Sequence, residues 1–339
     1  MINSHFVPQF LLRNFCKDER LQYYDKINKT VERRTTKTVF SEKGYYPDAL
    51  EKELCHKIET QFAGILNKRI VNEGYRISLT KKEMFICRKF FITSMLRVKD
   101  ENLDHNIIFK ELVKDKLLKD EEKAKKVLAG DFFKSINKVL ECENEEDVFE
   151  LMEQDSNINL FQFVRDMSFS HFVFVRSNNC KEDFVIPDRG WVGYRGPGGV
   201  KKLNAMYNML AIGYDPYVEM LVHMSTPQDY AVFPLSSSMA LLAISPALRI
   251  CLPGMPYKVK YPEETPSLSA TLGFGSPETF VMPELKRHKD GTEEYRYIIK
   301  QLSRKDVGFL NGLLIKDADR YFGYADEDRI KYSLSECGV

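Results

Sequence analysis

The chain has 339 residues, enough for one large domain or two joined ones, and its 43% hydrophobic content can build a substantial core, which excludes global disorder. Its 50 basic and 49 acidic residues leave a formal charge of +1. A dedicated duplex-DNA-binding protein usually carries a basic excess, so net charge does not favour nucleic acid as a partner, while a local basic patch or a protein partner stays open.

The first sub-region predicted along the chain, residues 1–46, combines an N-terminal arm with short strands. Large apolar side chains such as Phe6 and Phe15 predict that the arm is ordered and buried. Alternating apolar and polar residues at Leu21–Asp25 and Thr35–Phe40 predict two short strands on either side of the polar turn Lys26–Lys29.

Residues 47–167 are predicted to be helical. Pro47 suits a first helical turn, and apolar residues then recur at helical spacing from Ala49 to Val71. Thr80 followed by Glu83 has the sequence of a capping box, which predicts that a second helix begins there. The pattern predicts further helices up to residue 167.

The last sub-region, residues 168–339, is predicted to be mixed. The runs His171–Arg176 and Phe184–Pro187 predict a β-hairpin, and Tyr230–Ser245 predicts a turn and a strand. Ser303 is the predicted cap of a last helix that ends near Phe322. We therefore expect a single α+β domain over 1–339, with a helical N-terminal two-thirds packed on a small mixed or antiparallel β region with a C-terminal helix.

The most distinctive string runs from His5 to Phe15 and reads His-Phe-Val-Pro-Gln-Phe-Leu-Leu-Arg-Asn-Phe. It resembles the N-terminal signature His-x-Val-Pro-Gln-x-x-Leu-Arg-Asn-Phe of the domain-of-unknown-function 4238 family, which has no settled activity. Similarity to that family continues over most of the chain, at Glu59, Arg97, Val185–Arg189, Phe233–Ser236 and Asn311–Ala318. The chain departs from the family pattern at Pro187, Arg189 and Gly190, while Asp188 is retained.

Polar residues in these matched segments are candidates for binding a substrate. In the N-terminal string such residues either orient a ligand or tie down backbone carbonyl groups of an arm that has no strand of its own. The candidate substrate-binding residues are Gln9, Arg13, Asn14, Arg97, Ser236 and Asn311.

Glu59 lies on the apolar face of its predicted helix. Burying a lone carboxylate costs several kcal/mol, so it must be paired or neutralised, and Arg97 at the end of the next helix is a natural partner. Glu59 is therefore either half of a structural ion pair or a catalytic or metal-binding residue. His5, with an ordinary pKa of about 6.5, is either a general base or metal ligand, or a hydrogen-bonded histidine that fixes the arm.

Asp188 ends an apolar strand at the start of a glycine-rich loop, and His171 begins the strand predicted to lie beside it. If His5, Glu59, His171 and Asp188 converge as catalytic residues, they suit a divalent metal, Mg²⁺ or Mn²⁺, held by Glu59 and Asp188 and activating water. The first hypothesis is therefore a metal-dependent, nuclease-like hydrolase, with a role in bacterial defence or as a toxin. The alternative is a non-catalytic module that binds a ligand or protein, such as a partner or inhibitor protein carried by a mobile element.

The seven cysteines are scattered and include no Cys-x-x-Cys pair. This pattern favours reduced thiols over a disulfide framework or a structural zinc site. The sequence also has no signal-peptide pattern and no long uncharged apolar stretch. We therefore expect a cytoplasmic protein without membrane contact.

Overall fold

The computed structural model describes residues 3–97, 133–154, 171–177, 181–194, 230–244 and 284–339. Within these ranges the chain forms fourteen short strands in four sheets, together with helices between them. The strands in chain order are β1 Asn3–His5, β2 Arg20–Asp25, β3 Thr30–Thr35, β4 Ser41–Lys43, β5 Arg76–Thr80, β6 His171–Arg176, β7 Ile186–Pro187, β8 Val192–Tyr194, β9 Tyr230–Ser236, β10 Met239–Ile244, β11 Glu284–Arg287, β12 Glu293–Ile298, β13 Lys300–Gln301 and β14 Tyr321–Tyr324.

Helices separate and follow the strands. Two π-helical segments, Cys55–Glu59 and Leu66–Ile70, alternate with α-helices so that residues 48–70 form one continuous helical rod. Residues 133–141 are also helical, and Glu327–Arg329 forms a 3₁₀ turn. The α-helices are α1 Gln9–Arg13, α2 Asp48–Leu54, α3 Thr60–Ile65, α4 Lys81–Leu96, α5 Glu145–Gln154, α6 Arg304–Asp317 and α7 Lys331–Cys337.

Two helix starts confirm predictions from local sequence. Thr80 accepts a hydrogen bond from the backbone amide of Glu83, whose side chain accepts one from the backbone amide of Thr80 in return. Ser303 and Asp306 form the same reciprocal capping box at the start of α6. Such caps satisfy amide groups that have no partner within the helix, so the pattern is readable without tertiary information.

The sheets join segments that are distant in sequence. β2 and β3 form a hairpin, β14 adds to β2, and β7 adds to β14. The largest sheet has the order β13-β6-β10-β9-β8, and its pair β13–β6 is parallel. The two remaining sheets are β11-β12-β5 and β1-β4, and both are antiparallel.

Helix α4 lies between the five-stranded sheet and the helical rod. Its Phe91 packs against Phe172 and Phe233 of the sheet, with ring centroids 5.6 and 4.5 Å away. The neighbouring Phe90 stacks on Phe62 of the rod at 3.9 Å. The half-buried ring of Phe10 also contacts Phe62 and Phe90. The other rings of this aromatic cluster are buried, so the cluster fixes the rod relative to the sheet.

The predicted helical N-terminal two-thirds is wrong, although the chain does mix helices and strands. β1–β5 all lie within the first 80 residues, and β6–β8 follow before residue 195. These strands are short, and β5 pairs with β12 while β2 pairs with β14, far along the chain. Short strands give little period-two pattern, and their stability comes from distant partners, so local sequence does not reveal them.

Several predicted boundaries also differ from the structure. The strand paired with β2 is Thr30–Thr35, not Thr35–Phe40. The expected hairpin of His171–Arg176 with Phe184–Pro187 is absent among the residues described, because β6 pairs with β10 and β13. Helix α6 ends at Asp317 rather than near Phe322, since the chain turns there into β14.

The single domain over 1–339 and its sub-regions 1–46, 47–167 and 168–339 stay a prediction, and much of the helical stretch expected up to residue 167 lies outside the described residues. Among the helices that the structure does describe, none combines the length and apolar character needed to cross a bilayer.

Candidate functional site

A cavity of about 560 Å³ lies between the N-terminal arm and the helical rod. Its volume falls in the range typical of small-molecule sites. Strand β1, the loop after it and helix α1 form one wall, and the rod forms the other. The lining residues are Asn3, His5, Pro8, Gln9, Phe10, Arg13, Glu51, Lys52, Cys55, His56, Glu59, Thr60 and Ala63.

The rod presents one row of side chains to the cavity at a regular spacing of four residues. Glu51, Cys55, Glu59 and Ala63 all line it. In an unbroken α-helix, residues four apart drift gradually around the axis. The π-helical segment Cys55–Glu59 has wider turns, which offset this drift and keep the positions on one face. The π turn is therefore what brings Glu51 and Glu59 to the same cavity.

Glu59 is paired with Arg97, which is one of the two alternatives that the sequence left open. Arg97 Nη2 donates to Glu59 Oε1, and its Nη1 donates to the backbone carbonyl oxygen of His5 at 3.4 Å. The Arg97 side chain is only 2% exposed and the Glu59 side chain 18% exposed. A buried guanidinium behind the cavity therefore stabilises the carboxylate of Glu59 and holds the N-terminal arm against the rod.

Glu51 is a cavity residue that the sequence analysis missed. Its Oε1 is buried and has no hydrogen-bond partner among the described residues. Burial raises the pKa of its carboxyl to about 7, opposed by the charge of Arg97 and reinforced by the nearby carboxylate of Glu59. The sequence signal was its position eight residues before Glu59 on the predicted helix, but its burial depends on the arm that packs over it.

His5 borders the same cavity and is 7% exposed. Its Nδ1 lies 3.2 Å from the carbonyl oxygen of Asn3, which can only accept, so Nδ1 carries the proton. Nε2 is buried and has no partner among the described residues. Burial lowers the pKa of His5, although the carbonyl groups of Asn3 and Thr36 and the carboxylate of Glu59 act in the opposite direction. Burial of His5 therefore favours its neutral imidazole.

Gln9 and Arg13 also line the cavity, as candidate binding residues should. Neither side chain has a hydrogen-bond partner within the described part of the chain. Asn14, by contrast, is not a lining residue. Its side chain donates to the carbonyl oxygen of Leu235 at 3.0 Å, and its own carbonyl oxygen accepts from the amide of Ser237 at 3.1 Å. Asn14 therefore ties the arm to the β9–β10 turn.

Ser236 and Asn311 are buried and hold turns and helices together. The hydroxyl of Ser236 accepts from the backbone amide of Ser238 at 3.3 Å. Asn311 accepts from the amide of Val185 at 3.1 Å and donates to the carbonyl oxygen of Asp183 at 2.7 Å and the hydroxyl of Ser333 at 2.8 Å. All three hydrogen bonds of Asn311 lie within the fold, which leaves its amide little capacity for a ligand.

Asp188 lies at the β7 end and does not belong to the cavity lining. Its two oxygens accept three backbone hydrogen bonds, from Asp319 at 3.0 Å and from Arg320 and Tyr321 at 2.8 Å each. Burial raises the pKa of its carboxyl, and these amides oppose the rise. The carboxylate therefore clamps the connection between α6 and β14.

The two residues expected to hold the metal, Glu59 and Asp188, do not line the same cavity. His5 and Glu59 share the cavity, Asp188 faces the 319–321 backbone, and His171 pairs through its backbone with Ile244 while its side chain lies outside what the structure describes. In the described ranges, no three His, Cys, Asp or Glu side chains are arranged to hold a metal ion.

Comparison with known proteins places the chain in a family without defining an activity. No curated protein and no solved structure matches the chain. The family model described as Protein of unknown function (DUF4238) matches residues 3–328, which include β1, the helical rod, Arg97 and the capped helix α6. The N-terminal string, which resembles the signature of that family, supplies one wall of the cavity. The chain therefore belongs to the DUF4238 family.

Proposed function

We propose that the cavity is the active site of a hydrolase in which Glu51 transfers the proton. The observation that carries this proposal is the Glu51 carboxyl itself, which has an unpartnered buried oxygen and a pKa raised to about 7. A general base works best when its pKa lies near the working pH. Two carboxyl groups in different environments, one paired with an arginine and one whose pKa is raised by burial, are typical of acid–base sites.

The reaction needs one proton to travel through Glu51. Ionised Glu51 accepts a proton from a water molecule while the water oxygen forms a bond to the electrophilic atom of the substrate. The bond to the leaving group then breaks, and Glu51 returns the proton to the leaving oxygen. Such proton transfer contributes on the order of 10²–10⁴ in rate. Burial keeps the pKa of Glu51 raised, while the charge of Arg97 opposes the rise and the nearby carboxylate of Glu59 adds to it.

An anionic substrate fits the distribution of charge around the cavity. Arg13 and Lys52 are exposed on its rim and form no ion pair within the described residues, whereas Glu51 and Glu59 lie deeper. Exposed cations at the entrance attract an anionic group and position the bond next to it. A phosphodiester, the substrate of a nuclease-like hydrolase, is therefore the first class to test, with and without Mg²⁺ or Mn²⁺.

The test compares the wild-type chain with Glu51→Gln on single-stranded DNA, single-stranded RNA and bis(p-nitrophenyl) phosphate, with Mg²⁺, Mn²⁺ or EDTA. Glu53→Gln is the matched control, because Glu53 sits on the same helix, pairs with Lys57 and does not line the cavity. We expect hydrolysis by wild type and by Glu53→Gln, and a loss of at least about 100-fold in Glu51→Gln. Equal rates for Glu51→Gln and wild type would overturn the proposal.

Binding without turnover is the second candidate function. It is favoured by the ion pair between Glu59 and Arg97, which stabilises the fold whatever the cavity does, and by the free side chains of Gln9 and Arg13. In that case the wild-type chain binds a ligand in the cavity, and neither wild type nor Glu53→Gln converts any substrate of the panel.

A further inference from the structure

We propose that the cavity binds one nucleotide unit, with its base against Phe10 and its phosphate between Arg13 and Lys52. This inference rests on the proposed function and names the substrate class for the same site. It covers a free mononucleotide and the terminal nucleotide of a single strand, which present the same base and phosphate. A duplex is not the expected ligand.

The size of the cavity fits a single nucleotide. A volume of about 560 Å³ accommodates a small ligand, whereas a duplex requires an extended basic surface. The chain carries a formal charge of only +1. Enzymes that act on one base or one nucleotide take it out of the stack into a pocket, which makes a compact cavity sufficient.

Phe10 provides an aromatic wall for a base. Its ring is half-buried and packs against Phe62 and Phe90, with centroids 6.0 and 5.7 Å away. These two rings are buried and stacked on each other at 3.9 Å, so they hold Phe10 in place. Phe10 is one of the residues that line the cavity. A base stacks on such a ring without regard to its sequence identity.

The two rim cations are placed to hold the phosphate near the proton-transfer group. Arg13 follows Phe10 by three residues on α1, so both side chains lie on one face of that helix. Lys52 is on the opposite wall, adjacent in sequence to Glu51. A guanidinium binds phosphate oxygens through paired donors, and an ammonium adds a point charge. A phosphate bound by these two cations therefore lies in the cavity that Glu51 also lines.

The experiment measures binding by calorimetry to the full chain carrying Glu51→Gln, which prevents turnover. The probes are the four nucleoside 5′-monophosphates, the four nucleosides, and a 5′-phosphorylated single-stranded tetranucleotide. To this host we add Phe10→Leu or Arg13→Gln, with Arg20→Gln as the matched control, because Arg20 is exposed and does not line the cavity. Thermal unfolding checks that Phe10→Leu remains folded. Because Arg13 is exposed, we expect Arg13→Gln to remain folded as well.

We expect a monophosphate or the phosphorylated tetranucleotide to bind. Binding of the monophosphate indicates that the ligand is a free nucleotide, and binding of the tetranucleotide indicates that it is the end of a strand. Arg13→Gln weakens binding of the phosphorylated probe about tenfold and leaves nucleoside binding unchanged. Phe10→Leu weakens binding of both about tenfold. Arg20→Gln has no effect.

Two results overturn the inference: no binding of any phosphorylated probe, or an effect of Arg13→Gln no larger than that of Arg20→Gln. The proposed hydrolase function is tested separately, by whether hydrolysis depends on Glu51. Glu51-dependent hydrolysis of bis(p-nitrophenyl) phosphate without nucleotide binding would contradict only the nucleotide inference. Nucleotide binding that depends on Phe10 and Arg13, without any Glu51-dependent turnover, would support this inference and contradict the hydrolase.

Discussion

Arg97 donates from Nη2 to Glu59 Oε1 across the interface between helix α4 and the rod, and its side chain is almost completely buried. The same guanidinium donates to the carbonyl oxygen of His5. Arg97, at the end of α4, thus connects the N-terminal arm, the rod and α4 behind the cavity. Its positive charge pairs with Glu59 and also acts on the carboxyl of Glu51.

Replacing Arg97 with Met is expected to destabilise the fold by about 3 kcal/mol, because it leaves Glu59 without its buried partner. Urea denaturation measures the loss in the free energy of unfolding. Arg33→Met is the control, since Arg33 pairs with Asp18 on the surface and an exposed pair contributes less than about 1 kcal/mol. Equal losses in the free energy of unfolding for the two variants would show that the buried Arg97 pair stabilises the fold no more than a surface pair does.

Glu51→Gln is expected to stabilise the protein at pH 8 relative to wild type. The folded pKa of about 7 lies above the ordinary value of 4.5, so the folded state binds more protons than the unfolded state between these pH values. Stability contributed by protonated Glu51 is therefore lost as pH rises through 7. After allowance for solvent screening, the difference should be about 2 kcal/mol at pH 8 and absent below pH 4.5. A difference that does not change with pH would contradict the raised pKa.

Asp188→Asn is expected to lower stability by about 1–3 kcal/mol, because an amide nitrogen cannot accept the backbone hydrogen bonds that one carboxylate oxygen now receives. Hydrolysis by the folded variant, and its dependence on Mg²⁺ or Mn²⁺, should match wild type, since Asp188 serves the 319–321 backbone. Denaturation curves and rates at saturating substrate check both points. A folded variant that has lost metal-dependent activity would instead place Asp188 in a metal site.

Asn311→Ala is expected to cost about 2–4 kcal/mol, because it removes three buried hydrogen bonds and leaves the amide of Val185 unpaired. Asn67→Ala, on the exposed side of the rod, should change stability by less than about 0.5 kcal/mol. Thermal unfolding of both variants provides the comparison. If Asn311→Ala were as stable as Asn67→Ala and impaired binding instead, Asn311 would be a ligand-contacting residue.

Local sequence predicted those features whose cause is local. The capping boxes at Thr80 and Ser303 depend on residues three positions apart. The pairing of Glu59 with Arg97 followed from one rule, that a carboxylate on an apolar helix face needs a partner. These features require no knowledge of which distant segments meet.

The remaining features depend on contacts between distant segments. Glu51 gains its raised pKa through burial in the folded chain, and hydrogen bonds with the backbone of His5 and the side chain of Ser4 oppose this rise. The sequence placed Asp188 at the start of a glycine-rich loop, yet its partners are backbone amides more than 130 residues away. The strand β5 exists because β12 lies beside it. Composition and periodicity carry no information about such pairings.

The role of Glu51 in proton transfer is tested most directly by measuring the pKa of its carboxyl group. Glutamate side-chain carboxyl carbons are labelled with ¹³C, their signals are followed by NMR from pH 4 to pH 9, and the Glu51 signal is assigned by its absence in Glu51→Gln. We expect a midpoint of about 7 for Glu51. A midpoint near the ordinary value of 4.5 would show that Glu51 is solvated and fully ionised at neutral pH, and would contradict its role in proton transfer.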